Sequence, residues 1–408
     1  MMYIVLLFFI VATVLCYKKY WGVSTYLIGV YLLAMIFSIK LYWSDPSFRF
    51  SSFIGSIVYV LELMLYFKPY MRVAPMIAPI SNPIIEKRFC NVGYALGGLL
   101  ILGMILMAPK IMEVAAYGFG DARSSMYREG AESYIGAYSG TERIGSIILG
   151  WLGGMSYVLL MMFFYAFTFI DGKKMLKVIL IISSFSASYQ GLMVAGRTKI
   201  MYWMMFFLLC AVIFMPLMDH GKKKKICIFG GSFLALAFGY FMFMTLARST
   251  MSGYDTGDFI SRYMGESYLY FCEFWEKYEL QNITLGRLFP LSYFIFEGGF
   301  DLNAYRSEID NLVGMNIGIF YTHLGDFLVD VGFVGMTIIS ILYYYVGRKL
   351  CRSNIFSISR LIVFCYLIQI PLHGLFYYSL WKEASSFCTL LTLVIAYYLH
   401  DKYQPYGK

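Results

Sequence analysis

The stretch ICIFGGSFLALAFGYFMFMTLA, residues 226–247, decides the fold class. It contains no charged side chain, and its length is close to the roughly 20 apolar residues with which an α-helix crosses a bilayer. Lys222–Lys225 precede it and Arg248 follows it, so both of its ends are charged. The stretch predicts a transmembrane helix, and similar stretches recur along the chain.

Composition extends this prediction to the whole chain of 408 residues. Hydrophobic residues make up 60% and charged residues 14%, whereas a soluble domain carries about 25% charged residues. The net charge of +9 is concentrated in short clusters beside apolar runs, a pattern that orients helices in a membrane. This distribution excludes a soluble domain with a basic face, and we expect no nucleic acid as a partner.

We predict an all-α, polytopic transmembrane helical bundle of about 11 spans that forms a single integral membrane domain, residues 1–408. Pro216 and Pro371 lie in two of the apolar runs and are not expected to break them, because membrane helices tolerate proline. The predicted spans are 2–17, 22–43, 51–67, 91–109, 146–170, 176–196, 200–219, 226–247, 324–347, 355–378 and 384–400.

Positive charges predict the orientation of this bundle, because loops rich in Lys and Arg stay on the cytoplasmic side. The basic connectors alternate along the chain, which places the amino-terminus outside and the carboxy-terminus inside. These connectors contain Lys18-Lys19, residues 68–90, Lys173-Lys174, Lys222–Lys225, residues 348–352 and Lys402.

The largest outer connector, residues 248–323, is polar and rich in aromatic residues. Within it, residues 259–279 alternate aromatic and charged side chains at near-helical spacing, which predicts an amphipathic helix in the membrane interface. We therefore expect a large, partly helical extracytoplasmic loop. Residues 288–296 are too short to span and are expected to dip into the interface or re-enter the membrane.

Metal and cofactor sites have little support in the sequence. The eight cysteines form no CxxC pair and no cluster with histidine, so neither a disulfide framework nor a zinc site is indicated. The outer loops contain no convincing aspartate pair for a metal ion. We expect neither a metal nor a cofactor.

Arg197 and Lys199 lie in the turn Ala195-Gly196-Arg197-Thr198-Lys199, which the predicted orientation places outside. Short basic loops are disfavoured there, so the two cations suggest a use, such as holding a diphosphate. The alternative is that both side chains extend to the interface without binding anything.

Arg248 and Arg306 are the other candidate phosphate ligands. Arg248 directly follows a predicted span, and Arg306 opens a predicted helix start at Arg306-Ser307-Glu308, where Ser307 can cap. A guanidinium group is always charged and binds phosphate oxygens in pairs. Salt bridges to neighbouring acids are the alternative for both residues.

The sequence Tyr321-Thr322-His323-Leu324-Gly325-Asp326 closes the large loop. An imidazole titrates near neutral pH, so His323 could accept a proton from a hydroxyl nucleophile, with Asp326 orienting it from the next turn. We prefer His323 to His373, which lies near the outer end of a predicted span. For either residue, the alternative is an interfacial histidine that only forms hydrogen bonds.

The predicted architecture and two motifs resemble the O-antigen polymerase family, the oligosaccharide repeat unit polymerases. One motif is the outward turn at residues 195–199, and the other is YTHLGDFLVDVGFVG, residues 321–335. The resemblance covers most of the chain and includes a large outer loop before the last three spans.

The resemblance implies a GT-C-like, metal-independent glycosyltransferase in the bacterial cytoplasmic (inner) membrane, with its active site on the extracytoplasmic face. A growing glycan on polyprenyl diphosphate would be the donor, and a lipid-linked oligosaccharide repeat unit the acceptor. Membrane lipids and a chain-length regulator are the further partners. The implied site comprises His323 and Asp326 as catalytic residues, and Arg197, Lys199, Arg248, Arg306 and Tyr321 as substrate-binding residues.

Three other functions stay open at this point. A transporter or flippase of lipid-linked sugars would want polar residues through the bundle midplane and some internal symmetry, and the sequence shows little of either. It also shows no acid pair and no pair of broken helices inside the membrane, although Glu62 and Asp330 lie within or near spans. A membrane-bound acyltransferase would want a histidine deep in a tunnel, whereas His323 is expected at the outer boundary. A structural membrane partner would need no chemistry.

Overall fold

The computed structural model describes residues 1–50, 52–72, 74–117, 140–193, 196–252, 256–278, 285–286, 288–289, 302–314, 321–353, 355–380 and 383–401. Almost all of these residues are helical. The helices are α1 Met2–Lys19, α2 Gly22–Ser44, α3 Phe53–Phe67, α4 Pro83–Leu106, α5 Ala108–Tyr117, α6 Gly140–Leu152, α7 Ser156–Phe169, α8 Lys174–Ser183, α9 Ser186–Met193, α10 Thr198–Phe214, α11 His220–Ser252, α12 Thr256–Lys277, α13 Leu302–Val313, α14 Thr322–Cys351, α15 Ile358–Leu367, α16 Gln369–His373 and α17 Glu383–Tyr398.

The remaining regular structure is minor. Short 3₁₀ turns occur at Pro46–Phe48, Lys68–Tyr70, Gly153–Met155 and Met215–Leu217. Strands β1 (Met76–Ile77) and β2 (Ile355–Phe356) form a two-stranded sheet. The predicted all-α class is therefore confirmed for the described residues.

Nine helical segments among the described residues are long and apolar enough, by length and composition, to cross a membrane. Two shorter apolar segments, Ile358–His373 and Ala384–Tyr398, lie where the last two spans were predicted. The total of eleven crossings and the GT-C-like arrangement stay predictions. The nine are Met2–Lys19, Gly22–Ser44, Phe53–Tyr70, Pro83–Leu106, Gly140–Phe169, Lys174–Met193, Thr198–Leu217, His220–Leu246 and Thr322–Cys351.

Local sequence explains where several helices begin. The Ser52 hydroxyl accepts a hydrogen bond from the backbone N–H of Gly55 at 2.9 Å and so caps α3. The Asn82 side chain does the same for Ile84 at 3.0 Å, and Pro83 occupies the first turn of α4, where its missing N–H costs nothing. Gly172, with φ of 78°, allows the tight turn between α7 and α8.

Contacts within the chain divide it into two compact units, which we describe separately. Unit 1 comprises residues 1–76, 254–355 and 367–386, and unit 2 comprises residues 77–253, 356–366 and 387–408. The core of unit 2 is built around α7, whose side chains from Ser156 to Phe164 are all buried. Trp203 and Phe206 of α10 are buried in the same unit.

Unit 1 is organised by the packing of α12 against α2. The Ser38 hydroxyl donates to the carbonyl of Gly265 at 2.6 Å, so the two backbones approach closely. A Cβ atom on Gly265 would lie 2.5 Å from the backbone of Phe37 and Ser38. The aromatic face of α12, including Phe271 and Phe274, is buried. The helix predicted over 259–279 is present as α12, and its aromatic face packs inside unit 1. Its expected position in the membrane interface stays a prediction.

This close approach gives a prediction on stability. Replacing a helical glycine by alanine normally raises folding stability by up to about 1 kcal/mol. Gly265→Ala should instead lower the thermal unfolding midpoint in detergent, because overpacking lowers folding stability by about 1–3 kcal/mol. Gly29→Ala is the matched control on α2, since nothing lies within 4 Å of a Cβ atom there. Equal midpoints for the two variants would contradict the packing.

Candidate functional site

Helix α14 is interrupted at Gly332, which has φ of 66° and ψ of −176°. This conformation is open almost only to glycine. We call residues 322–331 arm 1 and residues 333–351 arm 2. The described side chains of arm 1 from Thr322 to Asp330 are all buried, whereas arm 2 exposes large apolar residues such as Val334 and Leu342.

The two arms fold back on each other in a V. In a straight helix, His323 and Ser340 would lie about 25 Å apart at 1.5 Å per residue. Both instead contact one side chain of α3, Tyr66: the His323 ring lies 4.6 Å from the Tyr66 ring, centroid to centroid, and Ser340 Oγ lies 3.5 Å from the Tyr66 hydroxyl. The start of arm 1 is therefore level with the middle of arm 2.

Arm 1 begins under backbone strain. Thr322 has φ of 68°, which is unfavourable for a β-branched residue. Its N–H donates to the carbonyl of Phe376 at 3.0 Å, and the N–H of His323 donates to the carbonyl of Gly374 at 2.9 Å. Residues 374–378, which we call the capping loop, thus supply the acceptors that the first N–H groups of a helix lack.

The same capping loop determines which ring nitrogen of His323 carries the proton. Nδ1 of His323 lies 3.0 Å from the carbonyl oxygen of Gly374. A carbonyl only accepts, so Nδ1 carries the proton, and in the neutral ring Nε2 presents a lone pair. Nε2 is buried and has no hydrogen-bond partner in the structure. The imidazole is therefore held in the tautomer that can take up a proton at Nε2.

Asp326 does not orient this imidazole. Its Oδ2 accepts a hydrogen bond from the backbone N–H of Tyr378 at 2.5 Å. Phe327 supports the same contact, with its ring 5.0 Å from that of Tyr378. The hypothesis that Asp326 orients His323 is therefore corrected: Gly374 orients His323, and Asp326 holds the far end of the capping loop against arm 1.

Tyr321 and the last residues of arm 1 also contact α12 and the residue that follows it. Tyr321 is fully buried, and its ring stacks on Phe274 at 5.5 Å with 12° between the planes. The Tyr278 hydroxyl donates to the carbonyl of Val329 at 2.6 Å, just before the break. Burial raises the pKa of Tyr278 to about 12, and the charge of Asp330 adds to this shift, so this hydroxyl remains a donor at neutral pH.

Arg197 and Lys199 belong to unit 2. Arg197 is 5% exposed, its Nη1 donates to the Thr245 hydroxyl at 2.7 Å, and its guanidinium lies 5.5 Å from the centre of the Phe241 ring. Lys199 Nζ donates to the Gln190 side chain at 2.7 Å. Arg197 therefore points into the protein beside α11, which argues against an idle side chain extending to the interface.

The structure brings Arg197 and Arg248 to the same region of unit 2. The backbone of Arg248 follows Thr245 by less than one turn of α11. The side chains of Arg248 and of Arg306, whose backbone lies in α13, fall outside the described part of the structure. The predicted dip at residues 288–296 also lies outside it, except for Leu288, whose N–H donates to Asp330 Oδ2 at 2.6 Å, and Phe289.

Sequence reasoning missed the capping loop. The run 355–378 was predicted as one span, but α16 ends at His373 and the chain then crosses arm 1. His373 is itself buried, with Nδ1 3.2 Å from the Ser379 hydroxyl. The break of α14 at Gly332 was not predicted either. The available signals were Pro371 and Gly374 in one apolar run and Gly332 in another.

No group of three or more His, Cys, Asp or Glu side chains that could hold a metal ion occurs in the part of the chain that the structure describes. Comparisons of the chain with protein-family models, curated proteins and solved structures find no match. The resemblance to oligosaccharide repeat unit polymerases therefore stays a hypothesis.

The V of α14 depends on one residue, which gives a second prediction. Gly332→Ala should lower the thermal unfolding midpoint, because a side chain at this φ and ψ costs roughly 1–3 kcal/mol. Gly239→Ala in α11 is the control, since it has open space around its Cβ position and no positive φ. A Gly332→Ala variant as stable as this control would show that the backbone of α14 does not need glycine there.

Proposed function

We propose that this protein polymerises lipid-linked oligosaccharide repeat units. It transfers a growing glycan from polyprenyl diphosphate to a sugar hydroxyl of another lipid-linked repeat, at the outer face of the bacterial cytoplasmic membrane. The observation that carries the proposal is His323, a buried imidazole with Nδ1 bound to a carbonyl and Nε2 left without a partner. Such a ring is prepared to accept one proton.

In the proposed reaction, the acceptor hydroxyl oxygen attacks the anomeric carbon of the donor sugar. The bond between that carbon and the diphosphate oxygen breaks, and the diphosphate leaves with the electron pair. The hydroxyl proton passes to His323 Nε2. Because His323 is fully buried, the residues that cover it must move when the acceptor binds.

Arg197 is proposed to bind the diphosphate. Its guanidinium is held by Thr245 and Phe241 near the Arg248 end of α11. A planar cation fixed in advance stabilises charge that develops on a leaving phosphate without having to reorganise. Lys199 and Arg306 are the further proposed phosphate ligands, and Tyr321 is a proposed sugar contact.

The base is tested by replacing His323. His323→Gln should abolish long glycan chains and leave single repeats on the lipid carrier, because glutamine keeps a similar shape but cannot take the proton. The readout is the glycan ladder on gels, at equal protein abundance. His220→Gln, at the exposed start of α11, is the control. A normal ladder from His323→Gln would exclude it as an essential base.

The phosphate role is tested at Arg197. Arg197→Ala should cut chain elongation at least 100-fold, in line with the loss of one charge-stabilising donor. Arg197→Lys should recover only part of this, because lysine is a point charge without the planar fork. Arg88→Ala is the control, since Arg88 is a half-buried arginine of the same unit whose Nη1 donates to the Tyr398 carbonyl. Complete rescue by lysine would contradict paired phosphate contacts.

A transporter or flippase of lipid-linked sugars is the second candidate, because α14 is broken inside the bundle and carries buried acids. Reconstituted protein separates the two. A flippase moves a labelled lipid-linked repeat across a vesicle without lengthening it, whereas a polymerase lengthens it without moving it.

A further inference from the structure

Glu62 is a buried carboxyl group that the proposed reaction does not use. It lies in α3 and is 5% exposed. Its Oε1 accepts a hydrogen bond from the Thr337 hydroxyl at 2.6 Å, whereas Oε2 is buried without a hydrogen-bond partner. A buried charge without compensation is costly, and an acid inside a membrane helix marks a functional site by default.

Side chains around Glu62 provide oxygen atoms rather than a positive charge. Tyr66 follows one turn later in α3, and its hydroxyl lies 3.5 Å from Ser340 Oγ. The ion pairs of the described residues join lysines to other acids and do not include Glu62. The carboxylate is therefore not neutralised by a cationic side chain of this part of the chain.

The break in α14 lies close to this carboxyl group. Thr337 is five residues, about 7.5 Å, along arm 2 from Gly332. Arm 1 ends at the break, and the last carbonyl groups of a helix lack partners within it and form the negative end of its dipole. The Val329 carbonyl already takes the Tyr278 hydroxyl. The break thus offers further oxygen atoms with negative character within about two helical turns of Thr337, the residue that contacts Glu62.

The available atoms define the class of ligand. They are one carboxylate, the hydroxyl group of Thr337 and backbone carbonyl groups, all hard oxygen ligands, and broken membrane helices use such groups to bind Na⁺. The described residues offer no set of three metal-binding side chains that would favour a divalent ion. We propose that Glu62, Thr337 and the carbonyl oxygens at the Gly332 break bind a monovalent cation of the Na⁺ class.

The test measures thermal unfolding of the full chain in detergent at constant pH and ionic strength, in NaCl, KCl or choline chloride. Na⁺ should raise the midpoint by about 2–4 °C over choline and should do so saturably, because a ligand that binds only the folded state stabilises it. Glu62→Gln should remove this Na⁺-dependent rise.

Glu273→Gln is the matched control. Glu273 is also a buried carboxyl of unit 1, but it is paired with Lys277 at 2.5 Å, so its variant should keep the Na⁺-dependent rise. If Glu62→Gln does not fold, Thr337 provides the test: Thr337→Ala should increase the Na⁺ concentration at half effect about tenfold, and Thr337→Ser should not.

Three results would overturn the proposal. The first is an equal midpoint for the natural protein in NaCl and choline chloride. The second is an undiminished Na⁺ effect in Glu62→Gln or Thr337→Ala. The third is a midpoint that follows pH but not Na⁺, which would assign a proton rather than a metal cation to Glu62. The proposal does not depend on the polymerase activity, so loss of glycan elongation leaves it unaffected.

Discussion

Backbone polar groups need partners wherever water is absent, and this constraint governs the interior of unit 1. The break at Gly332 turns arm 1 back into the bundle, where the start and the end of a helix must both find hydrogen bonds. The capping loop supplies carbonyls to the N–H groups of Thr322 and His323, and Tyr278 supplies a hydroxyl to Val329. The packing of α3, α12 and the capping loop around arm 1 follows from these needs.

The chemistry of the candidate site follows from the same contacts. Gly374 accepts from both the backbone and Nδ1 of His323, so the only ring atom left for a ligand is Nε2. Asp326 is used to hold Tyr378 and thereby keeps the capping loop on arm 1. One short loop thus satisfies the backbone, selects the tautomer and leaves a single acceptor available. Arg197 has a comparable but separate arrangement in unit 2 with Thr245.

Most helices could be predicted from the sequence, because crossing a bilayer requires long apolar runs and such runs are visible locally. The sequence was insufficient where two environments suit one pattern. The aromatic face of α12 suits a membrane interface and a protein interior equally well, and only the structure shows the close packing of α12 on α2 at Gly265. The run 355–378 is apolar throughout, yet it ends as helix at His373, because its next residues form hydrogen bonds to arm 1.

The sequence by itself determined the membrane class and the helical content. It also indicated candidate functional residues, including Arg197, His323 and the membrane-helix acid Glu62. These properties depend on composition and on neighbours within a few turns. The tertiary structure alone decided which ring nitrogen of His323 is left to act, what Asp326 holds and which described side chain contacts Glu62. The physical reason is that each group and its partner are distant along the chain, as for His323 with Gly374, Asp326 with Tyr378 and Glu62 with Thr337. These pairs meet only because α14 is broken at Gly332 and its two arms take different directions.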